Sequence, residues 1–216
     1  MMQMALADFN GIQRRLEADL EAWWLGWPEV NGIAVIASGQ VVKAAIVDAA
    51  TGKPGWGIFK ALVDRPVSVP ATDDDVAGEW RFMAWEMPML FENTMSMDDV
   101  LAKLQSAGAI RLQVSWGSSR NRTMSGRYGR VRQVEGTLTA WVHTPVNQGT
   151  VKALKAAQWL REFFLNRDKG WIDSCGSDLS ISNPDGPRSV QPAGGSEFAT
   201  HVITCSLTTL ETVGGF

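Results

Sequence analysis

Ile110-Arg111-Leu112-Gln113-Val114-Ser115-Trp116 alternates apolar and polar side chains without a break, and the pattern returns over 130–143. There Val134, Leu138, Ala140 and Val142 fall on one face and Gln133, Thr137, Thr139 and Trp141 on the other. A period of two over such lengths predicts half-buried strands, because successive side chains of a strand leave opposite faces of the sheet. Between the two runs, residues 117–129 are rich in Gly, Ser, Arg and Asn, contain no acidic residue, and read as a mobile polar loop. Downstream, Thr150 can cap a helix reaching Asn166. Ala153, Ala157, Leu160 and Phe164 form its apolar side, and Lys152, Lys155 and Glu162 its wet one. Leu179-Ser180-Ile181 reads as a short strand, Pro184 to Gly195 as a loop, and Phe198 to Leu210 as a closing strand with Ile203, Cys205 and Leu207 on one face.

Upstream, Phe9, Ile12, Leu16, Leu20 and Trp23 recur at helical spacing within Ala7–Leu25, and Gly26 and Pro28 end that helix. Short β-branched runs follow, at Ile33–Ile36, Val41-Val42 and Ala45–Val47, and hairpins are expected. Trp80 to Trp85 reads as a strand and 97–107 as a short helix. The fold class expected is α+β: a mixed or antiparallel sheet flanked by two main helices, with a β-rich insertion at 26–88 inside one domain spanning 1–216.

The chain has 216 residues, enough to bury about 70% of its extended surface without disulfides. With 45% hydrophobic and 20% charged residues it is neither an extended disordered chain nor a collagen-like one. No apolar run approaches a membrane span of about 18 residues, and Asp8 interrupts the place where a signal peptide needs its apolar stretch, so an unexported chain with no membrane role is expected. Cys175 and Cys205 carry neither metal-ligand nor redox spacing and are expected as free thiols. Ten Trp stand against one Tyr. Trp suits places where an apolar body needs one polar contact, including subunit edges, so Trp27, Trp56, Trp80 and Trp85 are candidate partner contacts.

Catalytic chemistry finds no foothold. Thr51-Gly52-Lys53-Pro54 lacks the upstream Gly and the following Ser or Thr of a phosphate loop, Val47 and Pro54 standing at those positions. His143 and His201 have no partner at ligand spacing. His201 and Cys205 share a strand face but lie four residues apart, about 13 Å, too far for a nucleophile and its base. Asp73-Asp74-Asp75 reads as a solvated acidic turn rather than a cation site. No enzyme, cofactor, metal or small-molecule substrate is expected.

What remains is charge. Between Arg111 and Lys169 eleven basic residues face three acidic ones, a net +8, while the rest of the chain carries nine basic and twenty acidic residues, a net −11. Such segregation suits head-to-tail contact between identical subunits, or a nucleic-acid surface on one side. Arg120, Arg122, Arg127, Arg130 and Arg132 are the candidate residues, since the guanidinium fork binds carboxylates and phosphates alike.

The second half resembles the tail terminator proteins of long-tailed bacteriophages, the U-like minor tail or tail completion proteins. The resemblance rests on the amphipathic helix at 7–25, the phrase Phe91-Glu92-Asn93, the strand Ile110–Val114 followed by a polar loop, and Arg127-Tyr128-Gly129. It continues through the strand ending Trp141-Val142-His143-Thr144-Pro145, the helix opened by Gly149-Thr150, and the closing strand His201 to Leu207. It covers roughly 7–25 and 89–212, while residues 26–88 are longer than the family's connection.

The resemblance implies a non-catalytic virion protein at the tail–head junction, assembled in the host cytoplasm. It implies a homo-hexameric ring that caps the tail tube, contacts the tail tube protein and the head–tail connector or neck proteins, and lets phage DNA pass through its lumen. On that reading the arginines line the lumen or grip a neighbouring subunit. The alternatives are a connector or neck component, or a nucleic-acid-binding domain whose arginines contact phosphates. About five such contacts would give a log–log salt slope near −4 to −5.

Overall fold

The computed structural model describes residues 9–49, 51–73, 78–91, 108–117, 120–126, 129–145, 150–166, 171–172, 178–190 and 198–213. Among the described residues thirteen elements carry the fold. Helix α1 (Phe9–Leu25) leads through a single 3-10 turn at Val30–Gly32 into β1 (Val41–Val47), β2 (Pro54–Ala61) and β3 (Trp80–Trp85). Strands β4 (Met89–Phe91), β5 (Ala109–Trp116), β6 (Arg120–Gly126) and β7 (Gly129–Pro145) follow. Helix α2 (Thr150–Asn166) precedes β8 (Trp171–Ile172), β9 (Asp178–Val190) and β10 (Phe198–Val213). The fold is α+β; among the described residues two helices accompany strands that pair antiparallel except for β4 with β5.

Two sheets form. The larger is ordered β4-β5-β7-β10-β9-β8, with β6 joining β7 beside the end of β5. Its spine is the β7–β10 pair, in register from Phe198 opposite Pro145 to Val213 opposite Arg130. The smaller, β1-β2-β3, lies wholly within 41–85. Both sheets and both helices share one apolar core: Leu16, Leu20 and Trp24 of α1 belong to the same buried cluster as Phe59, Trp80, Leu138, Leu160 and Ile203.

The alternation read in β5, β7 and β10 is what the sheet uses: Ile110, Leu112, Leu138, Ala140, Val142, Ile203, Cys205 and Leu207 are all buried. Several expectations change. Residues 120–126, within the stretch whose composition predicts a loop, form β6, which closes on β7 through Gly126 opposite Gly129. The loop expected from Pro184 is strand as far as Val190, and the short strand at 179–181 is the start of β9, held along β10 across two register shifts. The run at 33–36 is not strand. Its neighbour β1 already pairs with β2, while isolated bridges Glu29–Lys43 and Val47–Thr72 take the ends of its other edge. The expected helix at 97–107 lies outside the described residues.

Lys152 and Lys155 are not a wet face. Lys152 pairs with Asp48 and lies 4.5 Å from the Trp85 ring, and Lys155 lies 4.7 Å from the Phe82 ring. The small sheet supplies these partners, so α2 is packed on a side its own sequence reads as solvent. Glu162 is exposed as expected. Trp80 and Trp85 are buried in the core, which removes them as partner contacts. The Trp85 ring lies under Lys152 of α2, while Trp80 meets Phe59 edge-on and its Nε1 donates to the Ser68 carbonyl at 2.8 Å.

Candidate assembly surface

The core-facing residues of the large sheet alternate with a second set. Opposite-strand partners share a face, so the register places them in rows. Gln113, Thr139, Thr204 and Asp185 form one row across β5, β7, β10 and β9, and Ser115, Thr137, Ser206 and Ser182 the next. All eight are half-exposed or exposed. Above them runs Arg111, Trp141, Val202 and Arg188, where the Arg111 guanidinium carbon sits 4.5 Å from the Trp141 ring centroid, a cation–π contact. His143 follows, with Nδ1 2.9 Å from Thr200 Oγ1. Burial, and then the Arg111 charge, push the His143 imidazole down to about 4. It is neutral at physiological pH, so this face gains no positive charge from it.

Beyond Trp116, β9 pairs with β10 only as far as Leu179 opposite Thr209, and past that point the described strands are β6, β7 and β10. From Gly136, opposite Trp116, to Gly129 at the hairpin end is seven residues, on the order of 20 Å of ribbon. Four of the five candidate arginines fall on it: Arg120 opposite Gln133, Arg122 in the irregular stretch before Met124, Arg130 opposite Ser125 and Val213, and Arg132 opposite Glu211. Arg127 lies outside the described residues. Strand pairing gathers what the sequence spread over thirteen positions.

The tryptophans divide. Trp56 is exposed near the start of β2, the central strand of the small sheet, with Lys43 Nζ 5.3 Å from its ring. Trp27 is half-buried in an aromatic cluster with Trp23 and Trp159, whose centroids lie 5.6 and 6.0 Å away, and Phe163 stacks on Trp23 at 3.7 Å. That cluster fastens the end of α1 to α2, which is reason enough for these rings within one subunit.

A separate concave feature lies beside the small sheet. A groove of about 450 Å³ lies between the turn after α1 and the loop before β3, with a mixed lining that includes Ile33, Ile36, Arg65, Ser68, Val69 and Trp80. Val35 in its lining is exposed, and Val67, between the lining residues Pro66 and Ser68, is 91% exposed. The sequence signal was present as four apolar residues between Leu62 and Val69, a stretch that the proline pair Pro66 and Pro70 marked only as loop.

Among the described residues no group of three or more His, Cys, Asp or Glu is placed to hold a metal, and no helix is long and apolar enough to cross a membrane. Cys205 is a free thiol, buried, and pushed up to about 12 by that burial, so it is poorly suited to act as a nucleophile. Cys175 lies outside the described residues.

No family model and no curated protein matches the chain. One solved structure, whose name is an identifier without descriptive words, covers 61% of this chain and 83% of its own at 19% identity and a TM-score of 0.39. A likeness of that size decides neither fold nor function.

Proposed function

We propose that this chain is a ring-forming structural subunit of a long-tailed phage virion, a tail terminator that caps the tail tube and joins it to the head or neck. The observation that carries this reading is the large sheet: apolar on one face, polar on the other with Arg111, Asp185 and Arg188 among its Thr, Ser and Gln, and with different strands at its two sides. On one side β6 has β7 as its partner among the described residues. On the other, among the described residues, β9 is met by β8 at Leu179 and Asp178 alone. A strand edge is a template for another strand. Because the two edges differ, pairing between copies is head-to-tail, and such contacts close into rings when the rotation permits. The rows of Thr, Ser and Gln would then face a lumen. Neutral hydroxyls and amides present no array of fixed cations to hold a passing polyanion, which suits DNA transit better than DNA gripping.

Native mass spectrometry of the full chain, alone and mixed with tail tubes, tests this. A species near six times the 23.6 kDa subunit, or density for a six-fold ring at the tube end in averaged particles, is expected. A monomer under both conditions overturns it.

A further inference from the structure

We infer that the groove beside the small sheet docks a short segment of another protein in which a side-chain carboxylate stands beside apolar residues, with Arg65 as the anchor for that carboxylate. This site is independent of the ring reading above.

Arg65 is the charged residue of the lining and is exposed, and among the described residues its guanidinium has neither a hydrogen bond nor a carboxylate partner. Acids close to it in sequence are already engaged. Asp64 Oδ1 accepts the Ser38 N–H at 2.8 Å, and Glu79 accepts the Ser68 N–H at 2.8 Å. The complement that Arg65 lacks is therefore a carboxylate from outside, which the guanidinium fork can hold with two parallel bonds.

The anchor is also held in place. Arg65 has φ 53°, a left-handed backbone that costs a non-glycine residue energy and persists where its surroundings over-determine it. Its N–H donates to the Ile36 carbonyl at 2.8 Å, tying the wall at 65–69 to the wall at 33–36. Ser38 fixes Asp64 on one side, and Glu79 fixes Val67 and Ser68 on the other. Walls set before a ligand arrives lose less entropy on docking.

The rest of the lining matches a peptide better than a bare anion. Val35 and Val69 are 58% and 53% exposed beside Ile33 and the buried Trp80, and exposed apolar residues gathered around a concave surface mark an interaction site. Among the described residues the backbone N–H and C=O groups of Ala34 and Val35 have no hydrogen-bond partner. A peptide brings both complements, apolar side chains for the valines and main-chain donors and acceptors for the open backbone.

The test uses the full chain and peptides carrying a neutral dye, capped at both ends so that the last side chain is the source of charge: Thr-Val-Thr-Val-Asp, with Asn and Lys replacements of the Asp, and with Val varied through Ala, Leu, Ile and Phe. Fluorescence anisotropy should show saturable binding of Asp peptides, weaker by about ten- to a hundredfold with Asn. A benzophenone in the Asp peptide should crosslink to 33–36 and 65–69, read by mass mapping. Arg65→Asp tolerates the left-handed backbone and reverses the charge, so it should invert the order and favour the Lys peptides. Val35→Ser, at an exposed position, should weaken Asp peptides several-fold while keeping their advantage over Asn. Circular dichroism and thermal melting check that both variants fold.

No saturable binding across the set, equal binding of Asp and Asn peptides, or crosslinks elsewhere overturns the site. Competition by capped aspartate alone, as strong as by the peptide, overturns it in favour of a small-anion site. Release of subunits from a wild-type assembly by the peptide overturns it in favour of a second copy as occupant. A wild type that never assembles bears on the ring reading and leaves these readouts intact.

Discussion

The Asp48 carboxylate, at the end of β1 and 1% exposed, is paired with the Lys152 ammonium in the first turn of α2. This pair fastens the small sheet to the main body. Asp48 also accepts the Thr51 N–H at 3.1 Å, and the turn that closes β1 onto β2 places its backbone N–H against the Lys53 carbonyl at 2.9 Å. One carboxylate therefore organises a turn and anchors a sheet.

Removing one member of such a pair strands the other. Asp48→Asn should lower stability by about 3–5 kcal/mol, and Asp48→Asn combined with Lys152→Met considerably less, because no buried charge is left without a partner. Urea titrations of Asp48→Asn, Lys152→Met and the double variant check this as a cycle. Equal losses in Asp48→Asn and the double variant would show that a stranded Lys152 charge costs nothing here.

Trp24 is fully buried and its Nε1 donates to the Met87 carbonyl at 2.8 Å, tying α1 to the chain between β3 and β4. Trp24→Phe keeps an aromatic body but leaves that carbonyl without its donor, and should cost about 1–3 kcal/mol. Calorimetry reads the change. A neutral substitution would mean that the α1 anchor is purely a matter of packing.

Gly136 faces the Trp116 ring across the β5–β7 pair. A Cβ there would lie 2.7 Å from Trp116 Cε3 and 2.9 Å from the Ser115 carbonyl oxygen. The ring could turn, but the backbone oxygen cannot move without shifting β5, so Gly136→Ala should cost about 1–3 kcal/mol and alter Trp fluorescence. An unchanged melting curve and spectrum would show that the ribbon bends freely at this point.

Stability should fall with acid through the histidines. His143 is held near 4, and burial also lowers His201, both below the ordinary 6.5. A folded-state value below the unfolded one means that the unfolded chain takes up protons first. The contribution is therefore complete above about pH 6.5 and lost as pH drops toward 4. NMR titration of the imidazole signals locates the folded values, and His143→Gln should flatten the pH dependence of the urea midpoint over that window. A His143 signal titrating near 6.5 would count against its burial beside Arg111.

Cys205 should behave oppositely in alkali. Its thiol is raised from the ordinary 9 to about 12 by burial, so the unfolded chain loses its proton first, and stability present below pH 9 declines as pH rises toward 12. At pH 8 a thiol reagent should label Cys205 only as fast as the protein opens, with full labelling in urea. Rapid native labelling of Cys205, identified by peptide mapping, would contradict its burial.

Local pattern was enough for α1, β5, β7, α2 and β10, because each has an apolar face of unmistakable period. The alternation from Ile110 to Trp116 and from Val134 to Val142 fixes which side chains go inside whatever the sheet packs against. The excess of arginine between Arg111 and Arg132 is equally a property of the chain alone. Tertiary structure decided the rest. Residues 120–126 have no apolar period, and they become strand because β7 offers them a free row of backbone partners. The lysines of α2 look solvated until Phe82, Trp85 and Asp48 arrive from a sheet whose position no local pattern encodes. Trp80 and Trp85 were equally ambiguous, since an indole suits a core or an interface, and only the packing of the small sheet against α2 places them in the core. Periodicity reports which face of an element is apolar, while contacts between elements distant in sequence decide what that face, and its opposite, will meet.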